Sequence, residues 1–171
     1  MTSAPVRYVI GEDHYLAFAL LSAARGFRIA FAIFGTGLVV ELALIAVSGG
    51  DPLVWAFVGF IALILLLLCN HRFRGLPRLA KAAYREDVQI KEETTLSIDA
   101  DGYVAAFASG VVRREWINLV KWDEDDRIFA VYSNRQAGHI FPKDQVPAAV
   151  IDTIRHHLIA SGLEQRGKLR K

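Results

Sequence analysis

Two patterns of apolar residues divide the chain. From Phe27 to Cys69 apolar side chains run almost unbroken, interrupted by Ser48-Gly49-Gly50-Asp51-Pro52, whereas from Val88 apolar and polar positions alternate with a period of two. An unbroken run of this length suits a helix surrounded by lipid; alternation suits a strand with one buried face. Phe27 to Val47 is twenty-one residues in which Glu41 is the one charge beyond the Arg28 that marks its start. At 1.5 Å per residue it spans about 31 Å, close to the hydrocarbon thickness of a bilayer. Leu53 to Cys69 adds seventeen uncharged residues, with Pro52 suited to a first helical position. The pattern predicts transmembrane helices over 27–47 and 53–69, joined by five residues and therefore antiparallel neighbours.

The flanking segments read differently. Val6 to Ile10 is a short β-prone run ended by Gly11, after which Glu12-Asp13-His14 starts a helix whose Leu16, Ala19, Leu20 and Ala23 make an apolar stripe, suited to lying along the interface or leading into the first span. Residues 1–26 are thus a strand and an interfacial helix, and 70–87 a basic juxtamembrane helix that Pro77 kinks or restarts. Strands are expected at Val88–Ile90, Thr94–Ile98, Tyr103–Phe107, Val111–Trp116, Leu119–Trp122, Ile128–Tyr132 and Gly138–Phe141. Asp101-Gly102, Asp123 to Asp126 and Asn134 to Gly138 are the expected turns. Asp144 to Ser161 returns to helical spacing, with Asp144 as N-cap, Val146, Ala149, Val150, Ile154, Leu158 and Ile159 as the apolar face, and Gly162 as the stop. The fold class is a membrane helical hairpin plus an α+β domain over 88–162, a bent antiparallel sheet with a C-terminal helix. Residues 163–171 form a basic tail.

Composition sharpens location more than activity. The 53% hydrophobic content is concentrated in the hairpin, and a net charge of +2 is too mild for a nucleic-acid-binding face. The basic residues cluster beside the apolar runs: Arg25 and Arg28 before them, Arg72, Arg74, Arg78, Lys81 and Arg85 after them, and none in the connection. By the positive-inside bias both termini are expected in the cytoplasm of a two-pass protein of the bacterial inner membrane. Arg72, Arg74, Arg78 and Lys81 can also reach anionic lipid headgroups. Glu12, Asp13 and His14 interrupt the start too early for a cleaved leader. The single cysteine, Cys69, excludes an intrachain disulfide and reads as a small packed hydrophobe.

Within the membrane, Glu41 is the residue that composition does not explain, because a mid-depth carboxylate needs a proton or a partner. It lies on a stripe with Gly26, Ala30, Ile33, Gly37 and Ser48, where another helix can approach closely, and the Trp55 indole stands at matching depth on the second span. A neutral carboxyl bonded within or between hairpins, proton- or ion-linked work, and snorkelling toward the outer surface are the three readings. Asp99-Ala100-Asp101-Gly102 lacks the further ligands of a calcium loop and reads as a turn. Adjacent His156 and His157 point about 100° apart on a helix and do not make a metal pair. There is no nucleophile motif or glycine-rich phosphate loop, so no catalytic residue, cofactor or metal is expected. Trp116 and Trp122 read as core. Lys143 with Arg113 and Arg114 could form a small anionic site.

The order of elements, together with Tyr8 to Tyr15, Pro77-Arg78, Trp116-Ile117 with Val120 and Glu124, and Ile140-Phe141-Pro142-Lys143, resembles the YcxB-like bacterial membrane proteins over nearly the whole chain. The resemblance implies a pleckstrin-homology-like cytoplasmic domain. Trp116, Phe141, Pro142 and Lys143 would be its motif residues, none of them catalytic. About six strands fall after residue 87 and such a sheet wants seven, so Val6 to Ile10 could cross from the other side of the hairpin to supply the missing one. The expected function is a non-enzymatic interaction module tethered to the membrane, with lipid and either further copies or another protein as partners. The alternative is a small transport component in which Glu41 works within an oligomer.

Overall fold

The computed structural model describes residues 5–48, 51–134, 137–163 and 165. Gly49-Gly50 of the connection, Arg135-Gln136 of the last predicted turn, and nearly all of the basic tail lie outside the described residues. The chain divides into two compact units, Ala23–Leu79 on the one hand and Met1–Ser22 with Ala80–Lys171 on the other.

The discontinuous unit is built from two antiparallel sheets. Strands β1 (Val6–Tyr8), β2 (Thr94–Ile98), β3 (Gly102–Phe107) and β4 (Gly110–Glu115) lie in that order in a four-stranded sheet. Strands β5 (Lys121–Glu124), β6 (Ile128–Tyr132) and β7 (Gly138–Pro142) form a three-stranded one. The N-terminal strand does supply the missing partner: Val6 pairs with Leu96 and Tyr8 with Thr94. Alternation in β2 buries Thr94, Leu96 and Ile98, whereas every residue of β6 is buried, in keeping with a run that has no polar position to turn to water. Tyr103, Phe129, Phe141, Ile154 and Leu158 are among the core side chains.

Several boundaries differ from the sequence expectation, each for a local reason. Val88–Ile90 is not a strand: Asp87 Oδ1 accepts the backbone N–H of Gln89 at 2.9 Å and of Ile90 at 3.2 Å, closing a 3-10 turn over Gln89–Lys91. Leu119 precedes its strand, because Trp116–Asn118 forms another 3-10 turn. Asp123 and Glu124 belong to β5, and the turn begins at Asp125, whose Oδ1 accepts the N–H groups of Arg127 and Ile128, each at 2.9 Å. Asp144 caps no helix. The C-terminal helix α4 (Ala148–Ala160) begins after Pro147, and Asp144 pairs with His14 at 3.1 Å instead. Its buried face is Ile151, Ile154 and Leu158, leaving Ala149 and Ile159 exposed. Gly162 does stop it, at φ 77°, a left-handed conformation that glycine adopts without penalty.

Gly102 serves the Asp-Gly turn in an unexpected way. Its φ is not positive; what the turn demands is the absence of a side chain, since a Cβ there would stand 2.0 Å from the carbonyl oxygen of Arg114. Asp99 Oδ1 completes the turn by accepting the N–H groups of Asp101 and Gly102 at 3.0 and 2.8 Å.

Helix α1 (Glu12–Ser48) is unbroken from one unit into the other. Its first turns bury Ala17 and pack Tyr15, Phe18 and Leu21 on the sheet core, a face rotated from the stripe of Leu16, Ala19, Leu20 and Ala23. Of the two expectations for this piece, lying along the interface or leading into the first span, the helix follows the second, with its first turns packed on a protein core. Helix α2 (Pro52–Asn70) starts with Asp51 accepting the Leu53 N–H at 2.8 Å. The two helices are long and apolar enough to cross a membrane, and their most apolar windows contain no buried residue. Beyond α2 the basic segment is not one helix: a π-helical turn over His71–Gly75 precedes α3 (Leu76–Glu86). A Cβ on Gly75 would stand 2.6 Å from the His71 ring, so a side chain there would make that ring shift.

Candidate functional site

The discontinuous unit holds a cleft of about 260 Å³, with Tyr103, Phe107, Val112 and Arg114 on the first sheet, Val131, Ser133, His139 and Ile140 on the second, and Tyr15 and Phe18 from α1. It lies just below the size range of drug-sized ligand pockets, and its walls are mainly aromatic and aliphatic. Two larger hollows, of about 460 and 440 Å³, have charged linings already engaged in pairs, His14 with Asp144 and Lys143 with Glu124 in one, Arg113 with Asp99 in the other.

Strand period places a cation at the rim of an apolar cleft, where Arg114 stays exposed. In the β3–β4 register Tyr103 stands opposite Arg114 and Ala105 opposite Val112, so these four share the inner face. Arg113, one residue back, points the other way and meets Asp99 Oδ2 at 3.0 Å. Arg114 has no carboxylate partner among the described residues, and its only hydrogen bond is a long one, 3.4 Å, to the carbonyl of Arg113. No aspartate or glutamate lines the cleft.

At the base, His139 is enclosed by aromatic rings, with centroids 4.8 Å from Phe141, 5.4 Å from Tyr103 and 6.3 Å from both Tyr8 and Phe107. Burial, with a smaller contribution from the nearby Arg114 charge, lowers its pKa to about 4, so the ring is neutral at pH 7. The Tyr8 hydroxyl and His139 Nε2 share a 2.5 Å hydrogen bond. Burial also pushes the Tyr8 phenol well above its ordinary range. That phenol has no other acceptor among the described residues, so the network assigns it as donor to Nε2 and places the imidazole proton on Nδ1. The Nδ1–H finds no acceptor in the described chain.

The residues singled out from sequence are distributed differently. Trp116, Phe141 and Pro142 are buried in the core. Trp116 stacks parallel on His157 at 5.2 Å, and its Nε1 is enclosed without a partner among the described residues. Trp122 is buried, donating from Nε1 to the Leu163 carbonyl at 3.3 Å. Lys143, Arg113 and Arg114 are not assembled into one anionic site: Lys143 is bound to Glu124 Oε2 at 2.7 Å and to the Asp125 carbonyl at 2.6 Å, and Arg113 to Asp99. Lys81 meets Glu12 at 3.0 Å, while Arg74 and Arg78 are exposed and Arg72 lies 5.7 Å over the Phe27 ring. In the hairpin, a Cβ on Gly37 would touch Ile61 of the second span at 3.6 Å, so Gly37 faces the partner helix, whereas Gly26 and Ile33 of the same stripe are exposed. Glu41 has no hydrogen bond or ion pair among the described residues, and Trp55 is 53% exposed and unbonded to it. Those residues contain no cluster of metal-ligating side chains.

Sequence reasoning missed the cleft, naming of its walls Arg114 alone as a site residue. The available signal was an arginine at an inward position of an alternating strand, legible only once the strand's register is known. Comparison with protein-family models, curated proteins and solved structures finds no match, and the chemistry of the cleft therefore rests on its own geometry.

Proposed function

We propose that this chain is a YcxB-like protein of the bacterial inner membrane, in which a two-helix hairpin tethers a pleckstrin-homology-like module that binds a protein or further copies of itself and performs no catalysis. Seven antiparallel strands divided four and three, followed by one C-terminal helix, support the comparison with that fold. The observation that carries the reading is the pairing of β1 with β2. These strands flank the hairpin in sequence yet belong to one sheet, which supports a hairpin whose two ends emerge on the same side of a bilayer. Arg25 and Arg28 before the spans and Arg72, Arg74 and Arg78 after them favour the cytoplasmic side. An alkaline phosphatase fused after Lys171 should be inactive and a fluorescent protein at the same place bright; active phosphatase would overturn the topology.

Glu41 supports a second reading. A mid-span carboxylate without a partner among the described residues favours pairing or proton exchange in an oligomer. Glu41→Gln keeps the shape and hydrogen bonds of a protonated carboxyl but cannot titrate. If oligomeric state and every membrane-dependent phenotype survive it, the ion-linked reading is excluded.

A further inference from the structure

We propose that the cleft between the two sheets binds a small organic monocarboxylate, its carboxylate on Arg114 and His139 Nδ1–H and its apolar body against Tyr15, Phe18, Tyr103 and Phe107. The cleft lies wholly within one unit, so the proposal does not depend on how the hairpin sits in a membrane. Two donors line a site with no acidic side chain among the described residues: the exposed guanidinium of Arg114, which lacks a carboxylate partner among those residues, and the half-buried imidazole of His139, whose Nε2 is occupied by Tyr8. A guanidinium at the exposed rim of the cleft, with the apolar Val112 on the same strand face, can grip a planar carboxylate with two parallel hydrogen bonds while the apolar body of the ligand lies on the cleft wall.

Charge and size narrow the class. With His139 neutral the described cleft carries a single positive charge, which matches a monoanion better than a phosphate of charge near two. Its 260 Å³ equals roughly nine water molecules in the liquid, enough for one or two rings or a short alkyl chain and too little for a diacyl lipid. The neighbouring arginine provides an internal control, since Arg113 has the same charge, sits one residue away and faces outward to Asp99.

The test is equilibrium dialysis of the full-length protein in neutral detergent micelles against 2-naphthoate and octanoate, with empty micelles subtracted. Saturable binding of either acid is expected, and the stronger of the two identifies the body as aromatic or alkyl. Arg114→Gln should weaken it by roughly tenfold or more, and Arg114→Lys by less, while Arg113→Gln should leave it unchanged. Circular dichroism of each variant confirms that the fold persists. The proposal is overturned by absence of saturable binding, by Arg114→Gln and Arg114→Lys both binding as the parent does, by equal losses at positions 113 and 114, or by 2-naphthamide binding as tightly as 2-naphthoate.

Discussion

Gly102 and His139 show how much a single position can demand. An alanine at 102 would drive its Cβ into backbone on the facing strand, 2.0 Å from Arg114 O and 2.8 Å from Glu115 Cα, where no side chain can rotate away. Gly102→Ala should therefore cost about 2 kcal/mol, while Gly110→Ala, with open space around it, should cost under about 1 kcal/mol. Thermal unfolding of the purified protein distinguishes them, and equal melting points would refute the close approach. His139 makes stability depend on pH in a definite direction. Its folded pKa of about 4 lies below the ordinary 6.5, so between those values the unfolded chain binds more protons than the folded one. Stability is then full above pH 6.5 and falls as the pH drops toward 4, by on the order of 2 kcal/mol after discounting for partial exposure. Around the ring stand the Arg114 charge and the phenols of Tyr8 and Tyr103, both pushed upward by burial and so away from that window. His139→Gln can still accept from Tyr8 and should flatten the melting temperature across this range.

Among the elements, the N-terminal strand is held by contacts that no periodicity announces. Beyond the ladder with β2, the Gln145 amide reaches Val9, accepting its N–H at 2.8 Å and donating to its carbonyl at 2.9 Å, so a side chain plays the part of a neighbouring strand. Tyr84 on α3 donates to the Ile10 carbonyl at 3.1 Å. Gln145→Ala removes both Val9 contacts and should cost about 1 kcal/mol, with faster hydrogen exchange at the Val9 amide as the specific readout. At the other side of the domain, Glu124 Oε2 receives both Lys143 at 2.7 Å and Arg155 at 2.9 Å, joining β5 to α4 and to the residue after β7. Burial would raise the Glu124 pKa, but these two cations outweigh it and hold the carboxyl below its usual range. The cross-link is present at neutral pH and is lost as the pH falls through that lowered value. Glu124→Gln should cost roughly 1 kcal/mol at pH 7 and little once the parent carboxyl is protonated.

At the scale of the whole molecule, one folded unit is interrupted by another. Tyr8 and Ile10 are core residues of a domain whose remaining strands begin more than eighty positions later, at Thr94. Removing residues 1–11 should thus leave β2 with an unpaired edge and the core without two large side chains. The truncated protein is expected to insert in membranes yet show no cooperative unfolding transition and rapid proteolysis after residue 80. A cooperative transition like that of the intact chain would mean that β1 is dispensable. The same arrangement constrains folding order, since β1 can pair with β2 only after both long helices have been made.

The sequence by itself determined what depends on near neighbours. The apolar runs from Phe27 to Val47 and from Leu53 to Cys69, the alternation in Thr94–Ile98 and Ile128–Tyr132, and the stop at Gly162 follow from chain-local periods and glycine conformation, and they stand in the structure with small shifts of boundary. Tertiary structure decided what depends on partners distant in the chain. Asp144 left a helix cap for His14, Lys143 left a supposed anionic cluster for Glu124, and the face of α1 turned toward the sheet core. The cleft belongs to this second class. Arg113 and Arg114 are indistinguishable as letters, and only the register of β4 against β3, with an acid waiting on one face and none on the other, makes the first a surface ion pair and the second the charge in an apolar pocket.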